Sequence, residues 1–212
     1  MVPAMRRFRQ ALHNPHMKPG WALAVLVCAA VAQAQEPDAP NGLLLVAKPG
    51  LLDPNFRETV VLVTQAPDSS TVGVILNRPT TVRHERTGQP VYSGGPVMPR
   101  TLVALFRSDS APRAPAFRVL KRVYLSMHPD NIERLLAQPG GPLRLYAGFS
   151  GWAPRQLESE IRRGGWQLLA ASEEIVFRED TAGMWRELLE RSRGERAQRK
   201  NVTNVAIHRS EN

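Results

Sequence analysis

The segment Tyr146-Ala-Gly-Phe-Ser-Gly-Trp152, with Pro154-Arg-Gln-Leu-Glu158 just after it, indicates a buried strand that breaks at two glycines and turns directly into a helix. The two glycines allow a tight bend, because a residue without a Cβ adopts conformations that other residues avoid. The proline suits the first position of a helix, where its missing N–H is not needed. The segment therefore predicts a strand over 143–149 and a helix over 154–163.

Four residues near this bend are predicted to be structural anchors: Gly148, Gly151, Trp152 and Trp166. The glycines would let the backbone bend and pack closely. The tryptophans would fasten the helix to the sheet, because burying an indole removes a large apolar surface from water.

Short apolar or β-branched runs bounded by turn residues predict further strands on both sides of the bend. Two of them, 59–64 and 71–76, read as a hairpin-like pair of buried strands. Residues 80–90 are polar without periodicity and predict a loop. Helical spacing appears over 129–138, and Asp180 or Thr181 can cap a last helix. The remaining predicted strands are 43–47, 101–106, 119–125, 166–170 and 174–177.

Strands in runs, with helices inserted late, favour an α+β domain over a repeated strand–helix–strand winding. Five sequence pieces follow one another in a distinctive order: Gly42-Leu-Leu-Leu-Val-Ala47, Asp53-Pro-Asn-Phe56, Gly73 with Asn77-Arg-Pro79, Ser93-Gly-Gly-Pro-Val97, and Gly148 to Trp152 with Gln156-Leu-Glu158. In wording and order they resemble the AlgH/YqgE family from about Asn41 to Ser192. The resemblance implies a mixed, partly barrel-like β-sheet with helices packed on the outside, and it implies no established biochemical activity.

The first residues have the pattern of a secretory signal. Basic residues without any acid accompany an apolar run, Trp21 to Ala32, that is shorter than the roughly 20 residues needed to span a bilayer. Ala32-Gln33-Ala34 fits the small-residue cleavage pattern, so we expect cleavage after about Ala34, a periplasmic or secreted protein, and no transmembrane segment afterwards. A start at Met17 instead of Met1, a retained anchor and a cytoplasmic location remain alternatives.

The chain is thus predicted to divide into four parts, of which the first carries positive charge without any acid. Residues 1–34 hold four of the 28 lysines and arginines and none of the 19 acids, so 24 basic residues face 19 acidic ones in the remainder. This balance favours loose attraction to anionic surfaces. The predicted parts are a signal peptide over 1–34, a spacer over 35–41, an AlgH/YqgE-like domain over 42–192 and a basic, mobile tail over 193–212.

Several kinds of chemistry lack support in the sequence. The single cysteine, Cys28, lies in the predicted signal, so the mature chain would have no disulfide and no thiolate ligand. Its histidines are dispersed and no acid-rich loop occurs, so we expect no metal and no cofactor. No helix-turn-helix, zinc finger or aromatic–basic platform appears, so we expect no specific nucleic acid partner.

A catalytic serine is the sharpest enzymatic hypothesis, because Gly148-Phe-Ser-Gly-Trp152 joins a strand to a helix as a nucleophile elbow does. That motif requires G-x-S-x-G, and Trp152 is too bulky for its last position. Ser150 would also need a base, for which His128 is the candidate in a structured setting. We therefore assign no catalytic residue.

A small polar pocket is our one binding-site hypothesis. Asp53 and Asn55 lie in a predicted Asx-type turn, and Asn77 and Arg78 are an unusual polar end to an apolar strand. These four could converge on a ligand, or they could form a hydrogen-bonded structural cluster. Gly94 and Gly95 join the hypothesis, because glycine-rich turns offer backbone N–H groups to anions; a plain turn is the alternative.

These patterns favour an exported, non-enzymatic module that binds an unknown protein partner or an anionic envelope component. Two alternatives from other classes stay open. One is a hydrolase or transferase that uses the neighbourhood of Ser150 and His128. The other is a cytoplasmic transcriptional regulator, which would require that the chain is not exported.

Overall fold

The computed structural model describes residues 42–138 and 140–195. The predicted signal peptide, the spacer and most of the basic tail lie outside these residues. Ten strands are β1 (Leu43–Ala47), β2 (Val60–Gln65), β3 (Thr71–Ile75), β4 (Pro79–Arg83), β5 (Pro90–Ser93), β6 (Val97–Arg107), β7 (Phe117–Leu120), β8 (Val123–Ser126), β9 (Leu143–Trp152) and β10 (Trp166–Ala170). The helices are α1 (Pro129–Ala137), α2 (Gln156–Arg162), α3 (Glu173–Val176) and α4 (184–195).

The strands form one mixed sheet in the order β10-β1-β2-β3-β9-β6-β8-β7, with β4 and β5 beside this path. Its pairings are antiparallel except that β5 runs parallel to β9. The α+β class is confirmed, and so is the hairpin of β2 and β3. The path ends at β10 and β7 without closing, so the barrel-like part of the prediction is not confirmed.

Helices cover the sheet through three apolar clusters. The largest cluster packs α3 and α4 against the sheet, with Ile175, Met184 and Leu188 buried. A second cluster joins α2, through Leu157, to the other face of β1, β2 and β3. The third packs α1 against β6, β8 and β9. Neighbouring side chains of β9 belong to different clusters, as expected for a strand whose two faces are both covered.

Three elements differ from the sequence-based expectation. The predicted strand 174–177 is the short helix α3, whose N-cap Ser172 accepts a hydrogen bond from the Ile175 N–H at 3.4 Å. The predicted loop 80–90 contains most of β4, which pairs only with β5 and is exposed throughout, so no hydrophobic period marks it. The predicted strand 119–125 is a hairpin of β7 and β8 that turns at residues 121–122.

The bend after β9 lies later than predicted. The strand does not end at its glycines but continues to Trp152, because it changes partner: residues up to Phe149 pair with β6, and residues 150–152 pair with β3. The following helix begins at Gln156 instead of Pro154. Arg155 before it has a left-handed backbone, with φ 65°, which delays the first helical turn.

Candidate binding site

Glycines of the 93–97 turn pack directly on the backbone of β9. The Gly94 N–H donates to the Ala147 carbonyl at 3.0 Å, and the Gly94 carbonyl accepts from the Ile75 N–H at 3.0 Å. A Cβ on Gly94 would lie 2.1 Å from the Gly148 oxygen, and one on Gly95 would lie 2.3 Å from Ser150 Oγ. The turn therefore fits β9 only with glycine at both positions.

Gly148 is the second requirement of this contact. Its φ is +71°, and an added Cβ would lie 2.8 Å from the Gly95 oxygen. Gly151 differs from the expectation of close packing, because an added Cβ there would meet its nearest neighbour at 3.6 Å, an ordinary contact. The tight approach thus belongs to Gly94, Gly95 and Gly148.

Ser150 lies beneath this glycine turn. Its side chain is fully buried, and its hydroxyl donates to the Gly94 carbonyl at 3.1 Å. His128 has a different task as the N-cap of α1, where Nδ1 accepts from the Asp130 N–H at 3.2 Å. No hydrogen bond joins Ser150 and His128 in the part of the chain that the structure describes.

The two predicted tryptophan anchors meet on one carboxylate of α2. Glu160 accepts from Nε1 of Trp152 at 3.1 Å and from Nε1 of Trp166 at 2.9 Å. The indoles are 3% and 2% exposed. Phe56 completes the cluster, with its ring 5.5 Å from Trp152 and 5.6 Å from Trp166. Sequence reasoning paired the indoles but missed Glu160, whose role depends on where α2 begins.

The side chains of the predicted polar pocket form hydrogen bonds mainly with backbone groups of the segment before β2 and of β2 itself. Asp53 accepts from the Asn55 N–H at 2.7 Å, which confirms the Asx-type turn. Asn77 accepts from the Val60 N–H at 2.9 Å and donates to the Glu58 carbonyl at 2.9 Å. Arg78 donates to carbonyls of the same turn, and partial burial lowers the pKa of its guanidinium. Ligand binding by these residues stays a prediction.

Asn77 also lines an open cavity of about 510 Å³ between the start of β4 and the segment that leads into α4. Acidic residues dominate its charged rim, with Glu58, Glu179 and Asp180 against Arg186. The excess of acidic residues disfavours anions in this cavity. An anionic ligand of the predicted polar pocket would therefore have to bind on the side of Asn77 that faces away from the cavity.

A larger cavity, of about 570 Å³, lies between α1 and the loop after β6. Arg107, Arg113 and Arg134 line it and are exposed. Asp109 also lines the cavity, but it forms an ion pair at 3.0 Å with Arg122, which is not one of the lining residues. Within the described residues, neither Arg113 nor Arg134 has an ion pair. We call this space the arginine cavity.

Asn131 of α1 contributes a buried polar group to the arginine cavity. It is 1% exposed, and its Nδ2 donates to the carbonyls of Ala114 and Pro115 and to Ser126 Oγ at 2.9–3.2 Å. Its Oδ1 is buried and has no partner among the described residues. Sequence reasoning missed this site, because a loop predicted over 108–115 and a helix over 129–138 carry no signal that they face each other.

A buried arginine lies elsewhere, on β9. Arg144 is 6% exposed, donates through Nη2 to the Arg178 carbonyl, and lies 4.7 Å from the centre of the Tyr92 ring. Burial raises the pKa of the neighbouring Tyr146 hydroxyl, and the charge of Arg144 partly opposes the rise. The contact with Arg178 ties β9 to the segment after α3.

Residues 42–138 and 140–195 contain no group of three or more histidine, cysteine, aspartate or glutamate side chains that could hold a metal ion. None of the helices in these ranges has the length and apolar character required to cross a bilayer.

Comparison with known proteins gives consistent matches over the described domain. A family model described as AlgH-like matches residues 44–197. A UPF0301 protein of Thermobifida fusca is 35% identical, over 74% of this chain and 89% of the relative. A UPF0301 protein of Myxococcus xanthus is 36% identical, over 67% of this chain and 84% of the relative.

Solved structures give the same picture of the fold. The crystal structure of protein DIP2367 from Corynebacterium diphtheriae matches with a TM-score of 0.59 and 26% identity, covering 72% of this chain and 86% of that one. The solution structure of the AlgH protein from Pseudomonas aeruginosa matches with a TM-score of 0.56 and 24% identity, covering 65% and 80%. The second likeness concerns the fold alone.

Proposed function

This chain belongs to the AlgH-like family, and on that premise we propose that it is an exported, non-enzymatic module that binds an anionic component of the cell envelope. The resemblance that its motifs indicated is confirmed. The family's biochemical function is unknown, so the proposal is built on this chain's own cavities, charges and hydrogen bonds.

The arginine cavity is the observation that carries the proposal. Arg113 and Arg134 are exposed beside a concave space of about 570 Å³, and no acid described in the structure neutralises either. Guanidinium groups recognise phosphates and carboxylates through paired hydrogen bonds. The volume lies within the roughly 300–1,000 Å³ of ordinary ligand pockets. An anionic ligand fits this combination better than a cationic or neutral one.

The setting of Ser150 supports a binding role over hydrolysis. A nucleophilic serine must reach its substrate and pass its proton to a base. The Ser150 hydroxyl is fully buried and donates its one hydrogen to the Gly94 carbonyl. Exposing it would require displacement of the glycine turn from β9. The hydrolase alternative therefore lacks a reachable nucleophile at this bend.

Export belongs to the proposal because of the basic and apolar pattern of residues 1–34. The full chain, expressed with a C-terminal tag in a bacterial host, is expected in the periplasmic fraction. Intact mass spectrometry is expected to give an N-terminus at about Gln35. A cytoplasmic protein with residues 1–34 intact would contradict export, and it would favour the regulator alternative.

Affinity capture tests the binding role. The tagged full chain, in the form that the cell produces, is incubated with solubilised envelope, and retained material is analysed for phosphate and for protein. The double variant Arg113→Gln/Arg134→Gln removes the two arginines. As a control, Arg162→Gln removes one arginine from α2, at an exposed position without an ion pair among the described residues.

We expect wild type and Arg162→Gln to retain an anionic envelope component that the double variant loses. Equal retention by all three proteins would contradict the assignment to the arginine cavity. Retention of no envelope component by the wild-type chain would contradict the envelope partner.

A further inference from the structure

We infer that a second cavity of this molecule binds an aliphatic polyamine, an alkyl chain with an ammonium group at each end. The cavity measures about 510 Å³ and is lined by Glu58, Pro79, Tyr92 and residues 179–183, among others; we call it the acidic cavity. The inference goes beyond the proposed function and uses none of the residues of the arginine cavity. It is carried by unpaired carboxylates, by two reachable hydroxyls without partners, and by exposed apolar side chains.

The carboxylates account for the positive charge of the ligand. Glu58 lies just before β2, whereas Glu179 and Asp180 lie between α3 and α4, so the acids come from two segments far apart in sequence. All three are exposed, and none has an ion pair within the part of the chain that the structure describes. Three carboxylates against Arg186 leave the lining with an excess of two negative charges. A cation is therefore favoured over an anion or a neutral molecule.

Neighbouring arginines do not cancel this excess. Arg178 is paired with Glu187 at 2.6 Å. Arg144 is buried and is not one of the lining residues. The acids also do not converge on one point, because no three of them in the described ranges are placed to hold a metal ion. Charge spread around a space suits a ligand whose ammonium groups are separated by a chain.

Two hydroxyls of the lining account for hydrogen bonds to the ammonium groups. Tyr92 is 7% exposed and Thr181 is 8% exposed, and neither hydroxyl has a hydrogen-bond partner among the described residues. Both hydroxyls keep accessible surface, because the polar atoms that are sealed from solvent without a partner belong to Gln89, Asn131, Arg144 and Tyr146. A ligand in the cavity can therefore reach them. An ammonium suits them, since it has three N–H donors and a hydroxyl oxygen accepts.

The apolar part of the lining accounts for the alkyl chain. Pro79 and Ala182 are exposed, and Trp185 is half-buried. The Trp185 ring is held in place, because its Nε1 donates to the Ala47 carbonyl at 2.7 Å. Methylene groups that pack on these surfaces remove them from water, and an indole also attracts cations. A hydrated metal ion offers no such packing.

Calorimetric titration of the full chain, in the form that the cell produces, tests the inference. Putrescine and spermidine are the polyamine probes. Butylamine has one ammonium group on a chain of the same length as putrescine, and it resembles a lysine side chain. Mg²⁺ carries the charge without the chain. We expect at least one of the polyamines to bind at least about tenfold more tightly than butylamine and Mg²⁺.

Tyr92→Phe assigns the binding to the acidic cavity, because it removes the hydroxyl and keeps the ring. We expect it to weaken the polyamine about tenfold, the effect of losing one hydrogen bond to a charged group. The free energy of unfolding should not fall, because this hydroxyl has no partner to lose within the described residues. Tyr124→Phe, at a tyrosine that is 6% exposed and packs in the cluster beneath α1, is the matched control and should bind as wild type does.

The carboxylates are tested one at a time. Glu58→Gln and Glu179→Gln should each weaken the polyamine roughly threefold, the effect of an exposed ion pair. Glu158→Gln removes the same charge from an exposed position on α2 that has no ion pair in the described ranges, so it should leave binding unchanged. In amide NMR spectra, the shifts on titration are expected in residues 179–186.

Three results would overturn the inference. The first is that neither polyamine binds. The second is that butylamine or Mg²⁺ binds as tightly as the polyamines, which would indicate a lysine side chain or unspecific attraction instead. The third is that Tyr92→Phe and the two glutamate variants bind as their controls do. The proposed function is tested separately, because Arg113→Gln/Arg134→Gln is expected to bind the polyamine as wild type does.

Discussion

At the scale of the residue, Glu160 shows how one carboxylate can organise an aromatic cluster. It accepts both indole N–H groups, from Trp152 and Trp166, while Phe56 stacks on the first ring. Buried indoles need a partner for their N–H, because an unpaired donor in an apolar setting is costly. The cluster therefore fastens α2 to β9 and β10 by packing and by hydrogen bonds together.

Trp152→Ala tests this anchoring. The substitution removes a buried indole and leaves both a cavity and an unfilled acceptor on Glu160, so we expect the free energy of unfolding to fall by about 3–5 kcal/mol. Urea unfolding followed by circular dichroism measures it. Leu52→Ala, at a side chain that is 84% exposed, is the control and should change little. Equal stability of Trp152→Ala and wild type would refute the anchoring role.

Single residues were predictable from sequence where their partners are local. The Asx-type turn at Asp53 could be predicted because its hydrogen bond spans two residues. Asn131 could not, because its partners, Ala114 and Pro115, lie 17 and 16 residues away in a loop without a regular pattern. Arg144 was missed for the same reason: an arginine within an apolar strand gives no sign of being buried.

At the scale of the element, the glycine turn and β9 form one backbone contact, which Gly148→Ala tests. Gly148 has φ +71° and backbone oxygens 2.8 and 2.9 Å from the position of an added Cβ. The left-handed conformation alone costs a non-glycine residue roughly 1–3 kcal/mol, and the crowding adds to it. We expect a loss of at least about 2 kcal/mol in urea unfolding.

Gly50→Ala is the matched control for this substitution. No atom lies within 4 Å of the Cβ that it would add, and its backbone is not left-handed. We expect no loss of stability there. If both substitutions had the same effect, the close approach of the 93–97 turn to β9 would be wrong.

The connection from α3 to α4 should depend on pH through one ion pair. Glu187 accepts from Arg178 at 2.6 and 3.0 Å, and these hydrogen bonds hold the pKa of its carboxyl below the ordinary 4.5. A folded pKa below the unfolded one means that the pair stabilises the fold above the unfolded pKa and loses its effect as pH falls through the folded pKa.

Glu187→Gln should therefore lower the stability near pH 7 by at most about 1 kcal/mol, since the pair is partly exposed. The gap between variant and wild type should narrow as the pH falls from 7 through the folded pKa of Glu187, which lies below 4.5, because protonation removes the charge that the variant lacks. Urea unfolding at pH 7 and at a series of acid pH values measures it. Glu179→Gln, at a nearby exposed acid without an ion pair among the described residues, should show no such gap. A gap that persists in acid would contradict the ion pair.

Elements were predictable where the apolar pattern matched the burial. β2 and β3 followed from continuous apolar runs, because both faces of these strands are covered. The helix at residues 173–176 could not be predicted, because two acids before two β-branched residues suit a strand as well as a one-turn helix. The choice there is made by the Ser172 cap and by packing of Ile175 and Val176 beneath α4.

At the scale of the whole molecule, the family could be read from motifs, and the sites could not. The order of the glycine, proline and asparagine pieces was enough to indicate the AlgH-like family, and the α+β class followed from the run of strands. Whether the sheet closes depends on strand pairings far apart in sequence. The arginine cavity likewise depends on α1 packing against the loop after β6.

The proposal places the chemistry of this molecule at the arginine cavity and not at the bend after β9, where Ser150 is sealed beneath a glycine turn. Labelling of the folded full chain with a fluorophosphonate, followed by intact and peptide mass spectrometry, tests this most directly, because the reagent modifies accessible activated serines. We expect an unmodified Ser150 in the folded protein. A stoichiometric adduct on Ser150 that disappears in Ser150→Ala would contradict the account.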